Sequence, residues 1–226
     1  MKNLIMSLQK VKHIAVAGNI GAGKTTLSGL LAKHYNWKVL FEDTTKNPYL
    51  ENFYGDMSRW SFNLQIYFLN SRFQQVNEIR EGKHTVIQDR TIYEDAKIFA
   101  PNLHEMGFME KRDFDNYISL FDLMSKFVQA PDLLIYLKAD IPTLVDHIQE
   151  RGRSYEGKIN LDYLKKLNQK YNDWIDNYDL GNLLIIDIND KDFLNNREHL
   201  GEVIEKIDAK LFGLFSDAKK KENYHE

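Results

Sequence analysis

One stretch constrains this chain more than any other: Gly18-Asn19-Ile20-Gly21-Ala22-Gly23-Lys24-Thr25. Before it, residues 13–17 form a short run, uncharged after His13 and carrying Ile14 and Val16, which reads as a buried strand. After it, residues 26–35 place Leu27, Leu30 and Leu31 at helical spacing. G-x-x-x-x-G-K-[ST] between a strand and a helix is the phosphate-binding loop pattern. Its glycines admit backbone angles and close approaches that a Cβ would block. Successive N–H groups and the helix N-terminus then point at a triphosphate. Lys24 brings a positive charge to the β- and γ-phosphates, and the Thr25 hydroxyl is the expected Mg²⁺ ligand. The expected nucleotide-binding set is Gly18, Asn19, Ile20, Gly21, Ala22, Gly23, Lys24, Thr25 and Thr26, for ATP or GTP. A glycine turn without a ligand is the competing reading.

Length and composition fit a single α/β domain, expected over residues 1–226. A net charge of −3 gives no global reason to expect nucleic acid or an anionic membrane. Basic residues that matter must therefore act locally. The chain has no cysteine, which excludes disulfides and cysteine-based zinc sites and fits a reducing compartment. No apolar run approaches the ~20 residues of a membrane span, and residues 1–12 lack the apolar core of a signal peptide. A cytoplasmic enzyme is expected.

Strands at 38–41, 85–88, 131–137 and 183–186 alternate with helices at 49–54, 58–80, 92–100, 113–128, 143–150, 161–178 and 195–212. That alternation predicts a five-stranded parallel sheet with right-handed crossovers and helices on both faces. Carboxylates at the ends of parallel strands sit at the rim where such sheets bind ligands. Glu42 ends the second strand and Asp89 the third. Asp89 is therefore a candidate Mg²⁺ carboxylate, or a helix N-cap for 92–100, or both. Gln65 and Arg72 lie seven residues apart on the 58–80 helix, about 20° off one face. Apolar residues of the 113–128 helix cover about 220° of its circumference, which predicts burial on two sides. The second side belongs to a partner subunit or to an internal neighbour, and a homodimer through the 58–80 and 113–128 helices is expected. Arg151 and Arg153 stand in a glycine-flanked loop, either solvated or closing over phosphate. The tail, about 216–226, is polar.

Three further segments carry a resemblance: Arg59-Trp60-Ser61-Phe62-Asn63-Leu64-Gln65 with Ser71-Arg72, Asp89-Arg90-Thr91-Ile92-Tyr93-Glu94-Asp95, and Arg151-Gly152-Arg153. With the loop, in this order, the sequence resembles the deoxyribonucleoside kinases, a P-loop kinase family. The resemblance implies transfer of the γ-phosphoryl of ATP, with Mg²⁺, to the 5′-hydroxyl of a deoxynucleoside. It implies Glu42 as general base, Arg90 near the 5′-oxygen, and Lys24, Arg151 and Arg153 as phosphate-neutralising groups, the last two in a lid at about 147–157. By the same resemblance Gln65 pairs with the base edge and Trp60 and Phe99 line the base. Tyr54 and Glu156 hold the sugar 3′-hydroxyl. Asp187, Asp190 and Phe193 lie in the segment that packs the donor adenine. The family often has a lid arginine where this chain has His147, which leaves the phosphate clamp one fixed charge short. Arg72 with Asp95 resembles the pair in members that accept purines and cytidine, and argues against thymidine. Deoxyadenosine is the expected acceptor, with deoxyguanosine and deoxycytidine open. A nucleoside monophosphate kinase and a non-catalytic regulatory P-loop module are the alternatives.

Overall fold

Five parallel strands, β1 (His13–Gly18), β2 (Lys38–Leu40), β3 (Val86–Asp89), β4 (Leu133–Lys138) and β5 (Asn182–Asp187), stand in the order β2-β3-β1-β4-β5. They come from a computed structural model that describes residues 11–42, 44, 46–153 and 155–213. The start of the chain, Asp43, Ser154 in the lid and the polar tail lie outside the described residues. β1 is central, with Ile14 opposite Ile87 on one side and Leu133 on the other.

Strand alternation sorts the side chains into two cores. Ile14, Val16, Leu133, Ile135 and Leu137 face a layer built by Leu27 and Leu31 of α1 (Lys24–Tyr35), Leu144 and Ile148 of α7 (Ile141–Arg151), and Val203 and Ile207 of α9 (Arg197–Phe212). Ala15, Ala17, Leu134 and Tyr136 face the opposite layer. That layer holds Phe53 of α2 (Leu50–Gly55), Leu64 and Phe68 of α3 (Met57–Glu81), and Leu167 and Tyr171 of α8 (Leu161–Asp176). Ala15 and Ala17 are small, and the bulk on this side comes from the aromatic rings that approach the nucleotide rim.

Element ends follow local chemistry. Asp56 caps α3 by accepting from the Arg59 N–H at 3.0 Å. Gly152, left-handed at φ 63°, closes α7 with its N–H on Ile148 O. The second strand stops at Leu40, one residue short of expectation, and Phe41 is exposed. The helix expected at 92–100 runs further. α4 (Ile92–Glu94) passes through a π-helical turn, Asp95–Phe99, into α5 (Ala100–Glu105).

The helix expected at 113–128 starts and ends slightly earlier, and of the two-sided burial expected of it one side is met within this chain. α6 (Lys111–Ser125) buries Tyr117 and Phe121 against Leu69 of α3 and Ile92 and Ala96 of the π-turned helix. Its other side is uncovered: Leu123 is 56% exposed and Phe127, just beyond the helix, 58%. No internal neighbour among the described residues buries that second side. None of the described helices is long and apolar enough to cross a membrane.

Candidate active site

The phosphate loop leaves β1 at Gly18 and enters α1 at Lys24. Gly21 has φ 86°, and a Cβ there would stand 2.6 Å from Leu144 O, so only glycine lets α7 lie this close. The same contact is bonded, because His147 Nδ1 donates to Gly21 O at 2.9 Å. The Asn19 amide ties the loop to α8, donating to Leu164 O and Asn168 Oδ1 while its oxygen accepts from the Ile20 N–H. Lys24 donates to Asn19 O at 2.9 Å. Burial, with Arg90 adding to it against Asp89, Glu42 and Glu94, pushes the Lys24 amine down to about 7.

Thr25 donates to Asp89 Oδ2 at 2.6 Å, which joins the loop to the carboxyl end of β3. Asp89 Oδ1 is buried and has no hydrogen-bond partner among the described residues. A buried open carboxylate oxygen beside a hydroxyl, at the phosphate loop, fits a hard oxygen-seeking cation. Thr25 and Asp89 thus suit Mg²⁺. Asp89 does not cap the following helix. Thr91 does, its N–H donating to Glu94 Oε2 at 2.6 Å.

A crevice beside the loop is lined by residues 21–26, His147, Glu150, Arg151 and Arg153, and by a far wall of Ile188 and residues 191–195. Of the three residues expected at the donor adenine, Phe193 lines it and Asp187 and Asp190 do not. Asp187 ends β5 and turns its carboxylate onto the Asn189 N–H at 3.0 Å.

A second cavity of about 180 Å³ opens on the other side of Lys24 and Thr25. Glu42, Tyr54, Gln65, Arg90, Asp95, Phe99 and Glu156 all line it, as expected from sequence. Phe53, Phe68, Tyr155 and Tyr163 line it too, and none of these was anticipated. Trp60 does not. It lies against Tyr49, ring centroids 5.9 Å apart, with the Arg59 guanidinium 4.5 Å from its own ring centroid. Asp95 and Phe99 both belong to the π-helical turn, a distortion that often marks functional sites.

Arg72 stands behind the cavity wall and spends its guanidinium on the protein. Its Nη2 donates to Glu42 Oε1 at 2.6 Å, its Nε to Asp95 Oδ2 at 2.5 Å, and its Nη1 to the Asp89 and Arg90 carbonyls. Burial acts to raise the Glu42 pKa, but Arg90, Arg72 and Lys24 outweigh it and hold the carboxyl down at about 2. Asp95 goes the other way. Burial pushes it up to about 7 against Arg72 and Arg90, with a smaller addition from the like charges of Glu42 and Glu94.

Arg90 has φ 71°, a left-handed backbone that costs a non-glycine residue about 1–3 kcal/mol. The turn aims its side chain into the cavity. Nη1 donates to Tyr171 Oη at 2.8 Å, Nε lies 3.5 Å from Glu42 Oε1, and the guanidinium sits 4.4 Å from the Phe99 ring centroid. Tyr171 in turn donates to Glu94 Oε1 at 2.8 Å, and that oxygen accepts from the Gly18 N–H at 3.4 Å. The roles of Glu94 and of the Tyr171 hydroxyl are not evident from sequence; the one signal for them is an acid one helical turn beyond Arg90, which the structure finds fully buried. Arg151 and Arg153 line both the cavity and the crevice, and both pair with Glu156.

The geometry therefore offers a triphosphate cradle, a metal position and a separate aromatic pocket with a deprotonated carboxylate between them. Residues 14–212 match the family model for deoxynucleoside kinase. The chain is 40% identical over 202 residues to the deoxyadenosine/deoxycytidine kinase of Bacillus subtilis, covering 88% of this chain and 93% of that one. It is 40% identical over 194 residues to the deoxyadenosine kinase of Dictyostelium discoideum, covering 85% and 78%. A solved structure of deoxyadenosine kinase from M. mycoides, with dCMP and a flexible dCDP bound, superposes with a TM-score of 0.78 at 28% identity, covering 87% of this chain and 99% of that one. This chain belongs to the deoxynucleoside kinase family, as an ATP- and Mg²⁺-dependent phosphotransferase acting on deoxynucleosides.

Proposed function

We propose that the preferred acceptor is deoxyadenosine, and that Gln65 reads its base. The supporting observation is the Gln65 carboxamide, 2% exposed on the cavity wall, whose Oε1 is buried without a hydrogen-bond partner among the described residues. An unpaired amide oxygen there calls for a ligand donor such as the adenine amino group, with the amide N–H₂ free to donate to the adjacent ring nitrogen. Cytosine presents the same donor–acceptor order. The two relatives at 40% identity, named for deoxyadenosine/deoxycytidine and deoxyadenosine, support the same choice. Phe53, Phe68 and Phe99 supply the flat apolar surroundings that a base requires.

Glu42 is the general base in this reading. It is ionised at any working pH and stands on the cavity wall with Lys24 and Thr25, where it takes the 5′-hydroxyl proton. Arg90 holds the 5′-oxygen, Tyr54 and Glu156 the sugar 3′-hydroxyl, and Lys24, Arg151 and Arg153 the transferring phosphoryl group. Thr25 and Asp89 are the residues that would hold Mg²⁺, which would supply charge neutralisation to the phosphates when bound.

The same reading makes the enzyme a cytoplasmic homodimer. The exposed apolar residues Leu120 and Leu123 of α6 and Phe127 just beyond it, flanked by half-buried Phe114 and Ile118, are continuous with the α3 packing behind them and suit a second copy of that face.

The acceptor is tested with Mg-ATP against the four deoxynucleosides, the matching ribonucleosides and deoxynucleoside monophosphates. The highest kcat/KM falls on deoxyadenosine, with deoxycytidine next. A clear preference for thymidine or deoxyguanosine would overturn the assignment of Gln65.

A further inference from the structure

Glu156 lies in the acceptor cavity, yet its hydrogen bonds within the protein go to the lid arginines. Its Oε2 accepts from Arg151 Nε at 3.0 Å and its Oε1 from Arg151 Nη2 at 2.7 Å, with Arg153 Nη1 at 3.4 Å from the same oxygen. The backbone is built for this. Gly152 ends α7 directly after Arg151, and the Glu156 N–H donates to Arg153 O at 2.9 Å, turning the carboxylate back onto the helix end. Glu156 is 5% exposed, so the pair is anchored on a buried acid.

The fork engages one edge of the Arg151 guanidinium. The Nη1 amino group makes no hydrogen bond within the described residues, and Arg151 lines both the acceptor cavity and the phosphate-loop crevice. Glu156 lines the acceptor cavity only. We infer that Glu156 is a positioning residue for Arg151, holding one edge of the guanidinium so that the other faces the transferring phosphoryl group. This rests on the reading of Arg151 as a phosphate contact. A flexible arginine delivers a donor to one place only when something orients its plane, and a bidentate carboxylate does so better than a point contact. A carboxylate has about four lone-pair sites. Three are taken here, which leaves room for a sugar hydroxyl to donate to the same group. One carboxylate then joins the acceptor sugar to the lid arginine.

A double-mutant cycle tests this: wild type, Glu156→Gln, Arg151→Ala and both, with kcat and KM for deoxyadenosine at saturating Mg-ATP. Glu156→Gln lowers kcat about 10-fold in the wild-type background and less than about 2-fold when Arg151 is already alanine. Equal factors in both backgrounds, or an unchanged kcat, overturn the inference. The cycle is repeated with 2′,3′-dideoxyadenosine, which has no 3′-hydroxyl. A positioning role predicts that the kcat loss persists, and a sugar contact alone predicts that it vanishes. Arg151→Ala by itself reports on the underlying reading, since an unchanged kcat there removes Arg151 from the phosphate whatever Glu156 does. Should Glu156→Gln fail to fold, Arg151→Lys breaks the fork from the other side, and Glu156→Asp, which keeps the charge with a shorter reach, completes the cycle under the same criteria.

Discussion

Arg72 donates to Glu42 Oε1 at 2.6 Å while the same guanidinium holds Asp95 at 2.5 Å. The group expected to select the base and the group expected to take the proton are thus partners of a single buried arginine. Arg72→Met with Asp95→Ala removes both charges and leaves room beside Gln65. The ratio of kcat/KM for thymidine to that for deoxyadenosine should rise about 10-fold or more, and kcat for deoxyadenosine should fall because Glu42 keeps only Arg90 and Lys24. An unchanged acceptor ratio would refute the base-selection role.

Glu42→Gln keeps the shape and removes the proton acceptor. Turnover should fall by about 10²–10³-fold with ATP affinity nearly intact. Rapid-quench kinetics together with ATP titration check this, and a kcat within about threefold of wild type would exclude the base role.

Lys24, held near 7 by burial, predicts a proton linkage. Bound phosphates favour the charged amine and raise its pKa. At about pH 8 the free enzyme carries a largely neutral Lys24 that takes up close to one proton on binding Mg-ATP, whereas at about pH 6 it is already protonated and uptake disappears. Calorimetry in buffers of different ionisation enthalpy measures the number directly. Equal uptake at both values would show that another group carries the linkage.

Tyr171 relays between Arg90 and Glu94. Tyr171→Phe leaves both charged groups one partner short in a buried setting, at a cost of about 1–3 kcal/mol. Urea unfolding should show that loss, and kcat should fall with it because Arg90 loses its anchor at the strained turn. Wild-type stability would mean that water replaces the hydroxyl.

Leu123→Glu with Phe127→Glu places two charges on the exposed α6 face. Light scattering should find a wild-type mass near twice 26.6 kDa and a variant mass near the monomer value. A wild-type monomer would refute the dimer.

The phosphate loop, all five strands and Glu42 at the strand rim were legible because each depends on local spacing or on the strand-end rule, whereas Arg90 and Gln65 at the same cavity were implied only by the family resemblance. Trp60 was not, since helical phase decides which aromatic faces the pocket. Five residues before Gln65 is about 140° away around α3, while Phe68, three residues on, is about 60° away. The hydrophobic pattern ranks both as buried and cannot choose between them. The π-helical turn carrying Asp95 and Phe99 has no periodic signature either. Asp187 and Asp190 lie off the crevice lining for another reason: acids at a loop start readily bond the neighbouring backbone, and Asp187 does so.

The placement of β1 at the centre of the sheet also governs how the chain is made. Ile14 is made well before its neighbours Ile87 and Leu133. An apolar strand therefore waits without a partner until β3 is made, and its other edge stays open until β4 follows. Non-local pairing of this kind folds slowly and exposes its core on the way. Any fragment that ends before Leu133 lacks one wall of the phosphate-binding strand, so the nucleotide cradle forms only after β4 has been made.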